Sequence, residues 1–454
     1  MGSIQDERRH YKLSDIDKMA PPMMVKALIA YELLPDTDLD KLTASLKEGV
    51  RNAITYFPFM AGNLEIDDTD KPYIVTLPGQ RLEPTVHYFS STEHKSFATL
   101  SKESFHPDDL DPTKLLPENP PDQQPLCALQ LNIIDGGMIL AFAFHHKVGD
   151  WSSLDAFLSL VCRGTKAHHH SLDMPVYQPD MNKDAFTGDD DPGVSQQDLV
   201  KEFSRFYVTD LQSLLTAYAA NAAVPFEMGI YQITESAIQQ IKEQCKDILD
   251  GVDFVSSYDC ISALVWTSVT RARLACHPEK SSKQSILLHP VDLRSRDPHN
   301  VTSQEYFGNG VQPAQAGPID IQFLVADKGV ATAASRIRKS INEMILDPKS
   351  MKTLATLVRS LSLTQRLGYH FDFNDMDIFM NSWYSGRAEN YDIGTGSPCA
   401  FRTHRLITGA CCLILPNFSR SSTRVYELFI QLQKDEFQLL QRDSEFSRYF
   451  KRIV

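Results

Sequence analysis

The chain has 454 residues, 42% of them apolar and 23% charged, which are values typical of a globular protein with a sizeable core. Its net charge of −13 argues against nucleic acid or an anionic membrane as a general partner. We therefore expect most of the chain to be ordered, and the length is enough for two or three domains.

The first half predicts alternating helices and strands. Apolar residues recur at helical spacing from Leu39 to Phe57, and Pro58 ends that helix. Two apolar runs follow, Leu126–Ile134 and Met138–Phe144, joined by Asp135-Gly136-Gly137. This pattern predicts a hairpin whose second strand is buried on both faces.

The segment His145-His146-Lys147-Val148-Gly149-Asp150 follows this hairpin directly. Ser152 and Asp155 then predict a capped helix start, and Gly164 a helix end. His146 should therefore lie on a short loop between a strand and a helix, a usual place for catalytic groups.

A polar stretch from Lys166 to about Val200 predicts a long surface crossover between domains. It contains the triplet His168-His169-His170, which we interpret as a solvated loop because adjacent histidines rarely converge on one ion. None of the eight cysteines forms a Cys-x-x-Cys pair, so we expect no metal site.

The second half predicts a long helix, several strands and a final helix. Ser256 and Asp259 form a capping-box pattern at the start of the long helix. The predicted elements are the helix Ser257–Leu274, the strands Ser285–Leu288, Ala410–Leu415 and Val425–Leu432, and the helix Lys434–Arg442. The polar N-terminus and the lack of a long apolar run predict a cytoplasmic protein without a membrane span.

His146 suits acyl transfer, because a hydroxyl that attacks a thioester must lose its proton. A neutral imidazole, whose usual pKa is about 6.5, can accept that proton at physiological pH. The sequence has no Gly-x-Ser-x-Gly elbow, which favours direct transfer over an acyl-enzyme. The alternative is that His145, His146 and Asp150 only satisfy one another structurally, and the motif alone leaves both interpretations open.

Further landmarks occur in a fixed order along almost the whole chain. They are Leu13-Ser14-Asp15-Ile16-Asp17, the segment 56–64 (Tyr-Phe-Pro-Phe-Met-Ala-Gly-Asn-Leu), Gly136-Gly137, the segment 291–296 (Val-Asp-Leu-Arg-Ser-Arg), Tyr306-Phe307-Gly308-Asn309, Asn381-Ser382-Trp383 and the segment 391–396 (Tyr-Asp-Ile-Gly-Thr-Gly). Together with His-His-x-x-x-Asp, this order resembles the BAHD acyltransferases, and more closely their fungal members of secondary metabolism.

The resemblance implies an α/β (α+β) fold of two chloramphenicol acetyltransferase-like domains. Each would hold a mixed sheet flanked by helices, with a channel between the domains. We expect an N-terminal domain over residues 1–180, a crossover loop over 181–220 and a C-terminal domain over 221–454. The segment near 370–400 is expected to pack with the N-terminal domain.

The resemblance also implies roles for single residues. His146 would be the general base, whereas Asp150 would point away from it and pair with Arg294 of the other domain. Trp383, on the Ser-Trp match alone, would donate to the oxyanion.

Three positions depart from the family pattern. Trp151 replaces the glycine that usually follows the motif aspartate, and Asn63 replaces an arginine. The family's Asp-Phe-Gly-Trp-Gly has lost its aromatic pair, and we interpret Asp392, Gly394 and Gly396 as a tight structural turn.

The phosphates of CoA need cationic or hydrogen-bonding partners. Arg271 and Arg273, near the end of the predicted helix Ser257–Leu274, are candidates, with Ser256 and Ser257 at its start. A solvated helix face explains the two arginines equally well.

Taken together, these features predict a monomeric CoA-dependent O-acyltransferase that modifies a hydroxyl of a specialised metabolite. Acetyl-CoA is the expected co-substrate, no permanently bound cofactor is expected, and an amine acceptor is chemically allowed. The alternatives are acyl transfer from a carrier protein, as in condensation domains, a scaffold used for cyclisation, and a protein that only binds a metabolite.

Overall fold

The computed structural model describes residues 8–68, 71–117, 125–294, 296, 303–346, 348–362, 364–384, 387–404, 410–418 and 424–454. Side chains 218, 222 and 348–350 are not described. Ser295 of the predicted Asp-Leu-Arg-Ser-Arg segment lies outside these ranges, as does the N-terminal stretch 1–7.

The strands are short to medium in length and are spread over the whole chain. They are β1 (Arg9–Tyr11), β2 (Met24–Glu32), β3 (Asn63–Ile66), β4 (Pro72–Thr76), β5 (Thr85–Tyr88), β6 (Cys127–Ile134), β7 (Gly137–His145), β8 (Phe206–Asp210), β9 (Phe226–Thr234), β10 (Gln284–Asp292), β11 (Val311–Asp320), β12 (Gln365–Tyr369), β13 (Ile378–Ser382), β14 (Ala400–Arg402), β15 (Cys411–Leu415), β16 (Val425–Gln433) and β17 (Lys451–Arg452).

The helices alternate with these strands. They are α1 (Asp15–Met19), α2 (Leu39–Tyr56), α3 (Phe97–Lys102), α4 (Pro112–Leu115), α5 (Trp151–His169), α6 (Gln196–Lys201), α7 (Leu211–Ala222), α8 (Glu235–Cys245), α9 (Ser257–Cys276), α10 (Ile321–Leu324), α11 (Gly329–Leu346), α12 (Pro348–Ser360), α13 (Lys434–Leu440) and α14 (Ser444–Tyr449).

Two mixed sheets organise the described residues. One has the strand order β14-β2-β7-β6-β5, and the other has the order β11-β10-β13-β15-β16-β9-β17. Each contains parallel as well as antiparallel pairs, as β5 with β6 and β13 with β15 illustrate. Strand β14 comes from the second half of the sequence yet pairs with β2 of the first sheet. The domain boundaries predicted from the sequence remain a prediction.

The predicted hairpin is confirmed as β6 and β7, which pair antiparallel with Ile134 opposite Gly137. Gly136 has φ +73° in the turn between them, a conformation that favours glycine. All nine residues of β7 are buried. Its last residue is His145, so the segment 145–150 begins at a fixed position beside the core.

Helix α5 differs from its prediction at both ends. Asp150, and not Ser152, is the N-cap, because its side chain accepts a hydrogen bond from the backbone N–H of Ser153. The helix also continues past Gly164 to His169, since Gly164 packs against the backbone of Gly49 in α2 and does not end the helix. Two residues of the His triplet are consequently helical, which corrects the predicted loop.

The other predicted elements agree with the structure to within a few residues at most ends. Helices α2, α9 and α13 and strands β10, β15 and β16 are confirmed, as is the capping box of Ser256 with Asp259. The stretch 166–200 is less irregular than predicted, because it begins inside α5 and ends inside α6. In the described part of the chain, no helix combines the length and the apolar composition that crossing a membrane requires.

Helix α2 packs closely against α5, the helix that follows the loop of His146. A Cβ atom on Gly49 would lie 2.3 Å from Thr165 Oγ1, 2.5 Å from Val161 O and 2.6 Å from Thr165 N. Two of these atoms belong to the backbone of α5, so the helices would have to move apart to admit even a methyl group.

We predict that Gly49→Ala destabilises the protein by about 1–3 kcal/mol, although alanine favours a helix by about 1 kcal/mol over glycine. Thermal unfolding followed by circular dichroism measures the change. Lys41→Ala, at an exposed position of the same helix, is the control and should leave the midpoint almost unchanged. A Gly49→Ala midpoint at or above that of the wild type would contradict the close packing.

Candidate active site

His146 lies on the loop between β7 and α5, and its backbone is held from two sides. Its N–H donates to Met23 O at 2.9 Å, just before β2 begins. Its carbonyl oxygen accepts from Asn309 Nδ2 at 3.0 Å. The imidazole lines a cavity, so the backbone is fixed while the ring stays accessible to a ligand.

Asp150 and Arg294 form a buried ion pair between elements that are distant in sequence. Arg294 Nη1 lies 2.9 Å from Asp150 Oδ2, and Arg294 Nη2 lies 3.0 Å from Asp150 Oδ1. The two side chains are each only 4% exposed. This two-point geometry is the stronger form of a carboxylate–guanidinium contact.

Both carboxylate oxygens of Asp150 accept a second hydrogen bond from the backbone. Oδ1 accepts from Ser153 N at 3.2 Å, and Oδ2 accepts from Gly310 N at 2.8 Å. Arg294 in turn donates to Gly308 O at 2.7 Å and to Tyr306 O at 2.9 Å. Asp150 is therefore committed to Arg294 and to backbone N–H groups, and no hydrogen bond joins it to His146.

Asp292 extends this network at the end of β10. Its Oδ1 accepts from Arg294 Nη1 at 3.0 Å, and its Oδ2 accepts from Ser152 Oγ at 2.6 Å. Ser152 thus ties the start of α5 to the second sheet, which explains why it does not cap the helix with Asp155. Asp155 instead accepts a hydrogen bond from Tyr391 Oη.

A second carboxylate reaches His146 through Asn309. Asp17, which is fully buried in α1, accepts from Asn309 N at 2.7 Å and from Asn309 Nδ2 at 3.0 Å. Its other oxygen accepts from Lys183 Nζ at 3.0 Å. Asn309 is therefore oriented by Asp17 at the same time as it holds the carbonyl of His146.

The imidazole of His146 is neutral at physiological pH. Burial lowers its pKa below the usual value, against the opposing effects of its own backbone carbonyl, Asp150 and Asn309. Its Nδ1 is buried and makes no hydrogen bond to any described residue. A neutral histidine beside a cavity can accept a proton, which is the state that a general base requires.

The cavity beside His146 has a volume of about 350 Å³ and mostly apolar walls. Residues of both sheets contribute to it, and one wall is aromatic. That wall contains Tyr369, Phe371, Phe373 and Phe379. The space therefore suits a ligand with an apolar body, brought close to the imidazole of His146.

Trp151 and Trp383 form a stack in the wall of this cavity. Their ring centroids are 4.9 Å apart at an interplanar angle of 9°, and Phe401 meets Trp151 edge-on at 5.4 Å. Trp151 stands where the family usually has glycine. The position therefore lacks the conformational freedom of glycine and makes an aromatic contact instead. Trp151 Nε1 is buried and has no hydrogen-bond partner among the described residues.

Asp392 and its two glycines form a turn away from the cavity. Asp392 Oδ1 accepts from Gly394 N at 2.8 Å and from Gly396 N at 3.1 Å, and both glycines have φ near +100°. Asp392 Oδ2 accepts from Lys166 Nζ at 2.8 Å. These contacts account for all three residues as a structural turn that is tied to α5.

The arginines predicted for CoA are engaged elsewhere. Arg273 is fully buried and donates to Glu436 and to two backbone carbonyls, so the prediction that it binds phosphate is wrong. Arg271 forms ion pairs with Asp443 (Nε to Oδ2, 2.6 Å) and with Glu445 (Nη2 to Oε2, 2.8 Å). These pairs argue against a role of Arg271 in binding phosphate.

Ser256 and Ser257 lie at the opposite end of α9 from the arginines, and their role in binding CoA remains a prediction. Ser256 Oγ accepts from Asp259 N at 3.2 Å, as the N-cap of the helix. Ser257 Oγ accepts from Lys242 Nζ at 3.2 Å.

Several residues of the site were not predicted from the sequence. Asp17 was part of a recognised segment, but its Ser-x-x-Asp spacing indicates only a helix cap, and that cap is indeed present with Ser14. Ser153, Lys183 and the aromatic wall carry no local pattern. Ser153 and Lys183 contact residues more than a hundred positions away.

Comparison with known proteins places this chain in a family. The model of the Transferase family matches residues 3–447. The chain is 23% identical to trichothecene 3-O-acetyltransferase TRI101 of Fusarium sporotrichioides, over 97% of this chain and 96% of that protein. It is 23% identical to acyltransferase cm3D of Cordyceps militaris (96% of each) and 22% identical to O-acetyltransferase pboB of Aspergillus ustus (99% of each).

Solved structures show the same fold. The structure of F. sporotrichioides TRI101 with coenzyme A and T-2 superimposes with a TM-score of 0.81 at 19% identity, covering 98% of this chain and 100% of that one. Vinorine synthase matches with a TM-score of 0.65 at 16% identity, over 99% and 94%. These likenesses confirm the predicted two-domain fold of mixed sheets flanked by helices. The chain therefore belongs to the Transferase family and is an acyltransferase of the BAHD type.

Proposed function

We propose that this protein transfers an acetyl group from acetyl-CoA to a hydroxyl of a specialised metabolite, with His146 as the general base. The proposal rests on the different environments of His146 and Asp150. His146 is neutral and faces the cavity, whereas the carboxylate of Asp150 accepts hydrogen bonds from Arg294 and from backbone N–H groups. The imidazole of His146 can therefore accept a proton, whereas Asp150 holds the loop in place.

In the proposed reaction, both substrates bind before any bond changes. His146 takes the proton of the acceptor hydroxyl as its oxygen attacks the thioester carbonyl. The tetrahedral intermediate then collapses, the C–S bond breaks, and the proton passes from His146 to the leaving thiolate. The products are the acetyl ester and free CoA, and no acyl-enzyme forms.

Trp383 is the proposed donor to the oxyanion of that intermediate. Its ring lines the cavity that His146 also lines, and the stack with Trp151 limits its motion. A preorganised donor of this kind is worth about 2.7–4 kcal/mol of transition-state stabilisation. The role rests on position and on the Ser-Trp match to the family.

Relatives support CoA over a carrier protein as the acyl source. The TRI101 structure with coenzyme A superimposes with a TM-score of 0.81, and a condensation domain does so with 0.56. The names of TRI101 and pboB describe O-acetyltransferases. We therefore propose acetyl-CoA as the donor, a fungal secondary metabolite as the acceptor, and a monomer that acts in the cytoplasm.

The proposed function is tested with purified protein, acetyl-CoA and a panel of hydroxylated metabolites that includes trichothecenes, steroids and phenols. Released thiol and product mass are measured together. A product heavier by one acetyl group, formed together with one equivalent of free CoA, supports the proposal. Release of CoA without any acetylated product across the panel, or transfer only from carrier-protein thioesters, contradicts it.

We predict that His146→Ala lowers kcat/KM about a hundred- to ten-thousand-fold, because general-base catalysis contributes that much. Thermal unfolding should change little, since the backbone contacts of residue 146 remain. His170→Ala, which removes an exposed histidine just after α5, should retain full activity. Equal rates for His146→Ala and the wild type would show that the imidazole is not the base.

The pH dependence of kcat/KM gives a separate prediction. The neutral imidazole is the active form, so activity should rise with pH through the pKa of His146. Burial lowers that pKa, so the midpoint of the rise should fall below the usual histidine value of about 6.5. A midpoint above that value would contradict the neutral buried base.

A further inference from the structure

The cavity has a second polar region, formed by Lys26 on β2 and His404 just after β14. Both residues line the same cavity as His146, and both are partly buried. The strands that carry them are neighbours, because Ala400–Arg402 of β14 pairs with residues 28–30 of β2. Thr403, the neighbour of His404, also donates a hydrogen bond from Oγ1 to Lys26 O at 3.3 Å.

Neither polar group is satisfied by the described protein. No described carboxylate forms an ion pair with the Lys26 ammonium group, although most other buried or partly buried cations of this chain have one. His404 Nδ1 is buried without a hydrogen-bond partner among the described residues. An ammonium group without a carboxylate partner in an otherwise apolar wall is costly unless a ligand engages it.

The charge of this region comes from Lys26 alone. Burial, together with the nearby Lys26, lowers the pKa of His404 to about 4, so its imidazole is neutral. A neutral imidazole can donate one hydrogen bond beside the ammonium group. The pair therefore offers one positive charge and one further donor, which matches a single carboxylate.

The distance from His146 follows from the register of β2. The N–H of His146 bonds to Met23 O, and Lys26 is three residues farther along an extended strand. At about 3.4 Å per residue, the backbone positions next to His146 and at Lys26 are separated by roughly 10 Å. Apolar residues such as Met24, Cys411 and Leu413 line the same cavity.

We propose that Lys26 and His404 bind a carboxylate of the acceptor, at the opposite end of an apolar body from the hydroxyl that His146 deprotonates. This inference rests on the proposed function, since it specifies the acceptor of that reaction as a hydroxy acid. CoA is the other source of anionic oxygen. One ammonium group beside a neutral ring matches a single carboxylate, whereas CoA carries several phosphate charges.

The test uses decanoate and decanol as probes of the same length, titrated into the full-length protein by calorimetry. The wild type should bind decanoate more tightly than decanol. Lys26→Met should weaken decanoate binding at least about tenfold and leave decanol and CoA binding unchanged. Lys26→Arg should largely restore decanoate binding. Lys12→Met, which removes an exposed lysine, is the matched control for net charge.

Three results would overturn the proposal: no preference for decanoate in the wild type, equal decanoate affinity in Lys26→Met, or a loss of CoA affinity instead. Circular dichroism and thermal unfolding check that each variant is folded, and His404→Phe tests the second residue if Lys26→Met is unstable. Binding needs no turnover, so its failure is separate from that of the proposed function. Decanoate selectivity without acetyl transfer would refute the function and keep the anion site.

Discussion

Four hydrogen bonds on the carboxylate of Asp150 hold the site together. Two come from the guanidinium of Arg294, one from Ser153 N in α5, and one from Gly310 N before β11. A buried carboxylate is stable only when its charge and lone pairs are matched in this way. The pair joins the helix that follows the first sheet to a loop of the second. It therefore fixes the loop of His146 relative to the cavity that both sheets line.

This arrangement explains how His146 keeps a neutral ring next to an aspartate. The negative charge of Asp150 is balanced by Arg294, so burial dominates and the pKa of His146 is lowered. Asn309, which Asp17 orients, holds the backbone carbonyl of His146. The cavity therefore has His146 as a base in one part and the Lys26–His404 region in another, and this layout can orient a molecule with two different polar ends.

Sequence patterns predicted helices and strands well where neighbouring residues determine the structure. Periodicity gave α2 and α9, and the Ser256–Asp259 spacing predicted a real capping box. The start of α5 was misassigned because Ser152 has a stronger partner in Asp292, 140 positions away. The phosphate role of Arg273 was wrong for the same reason, since Glu436 and two carbonyls surround it in the fold. Long-range partners, which one sequence does not reveal, decided each of these cases.

The most direct test of this account is a double-mutant cycle on Asp150→Asn and Arg294→Met, measured as kcat/KM and as thermal unfolding. If the pair positions the loop, each single change should reduce both quantities strongly, because removing one partner of a buried pair costs about 3–5 kcal/mol. The double variant should then lose much less than the sum of the two. Additive effects would show that the two residues are not coupled, and near-normal activity in Arg294→Met with a large loss in Asp150→Asn would show that Asp150 acts on His146 directly. Either result would contradict the account.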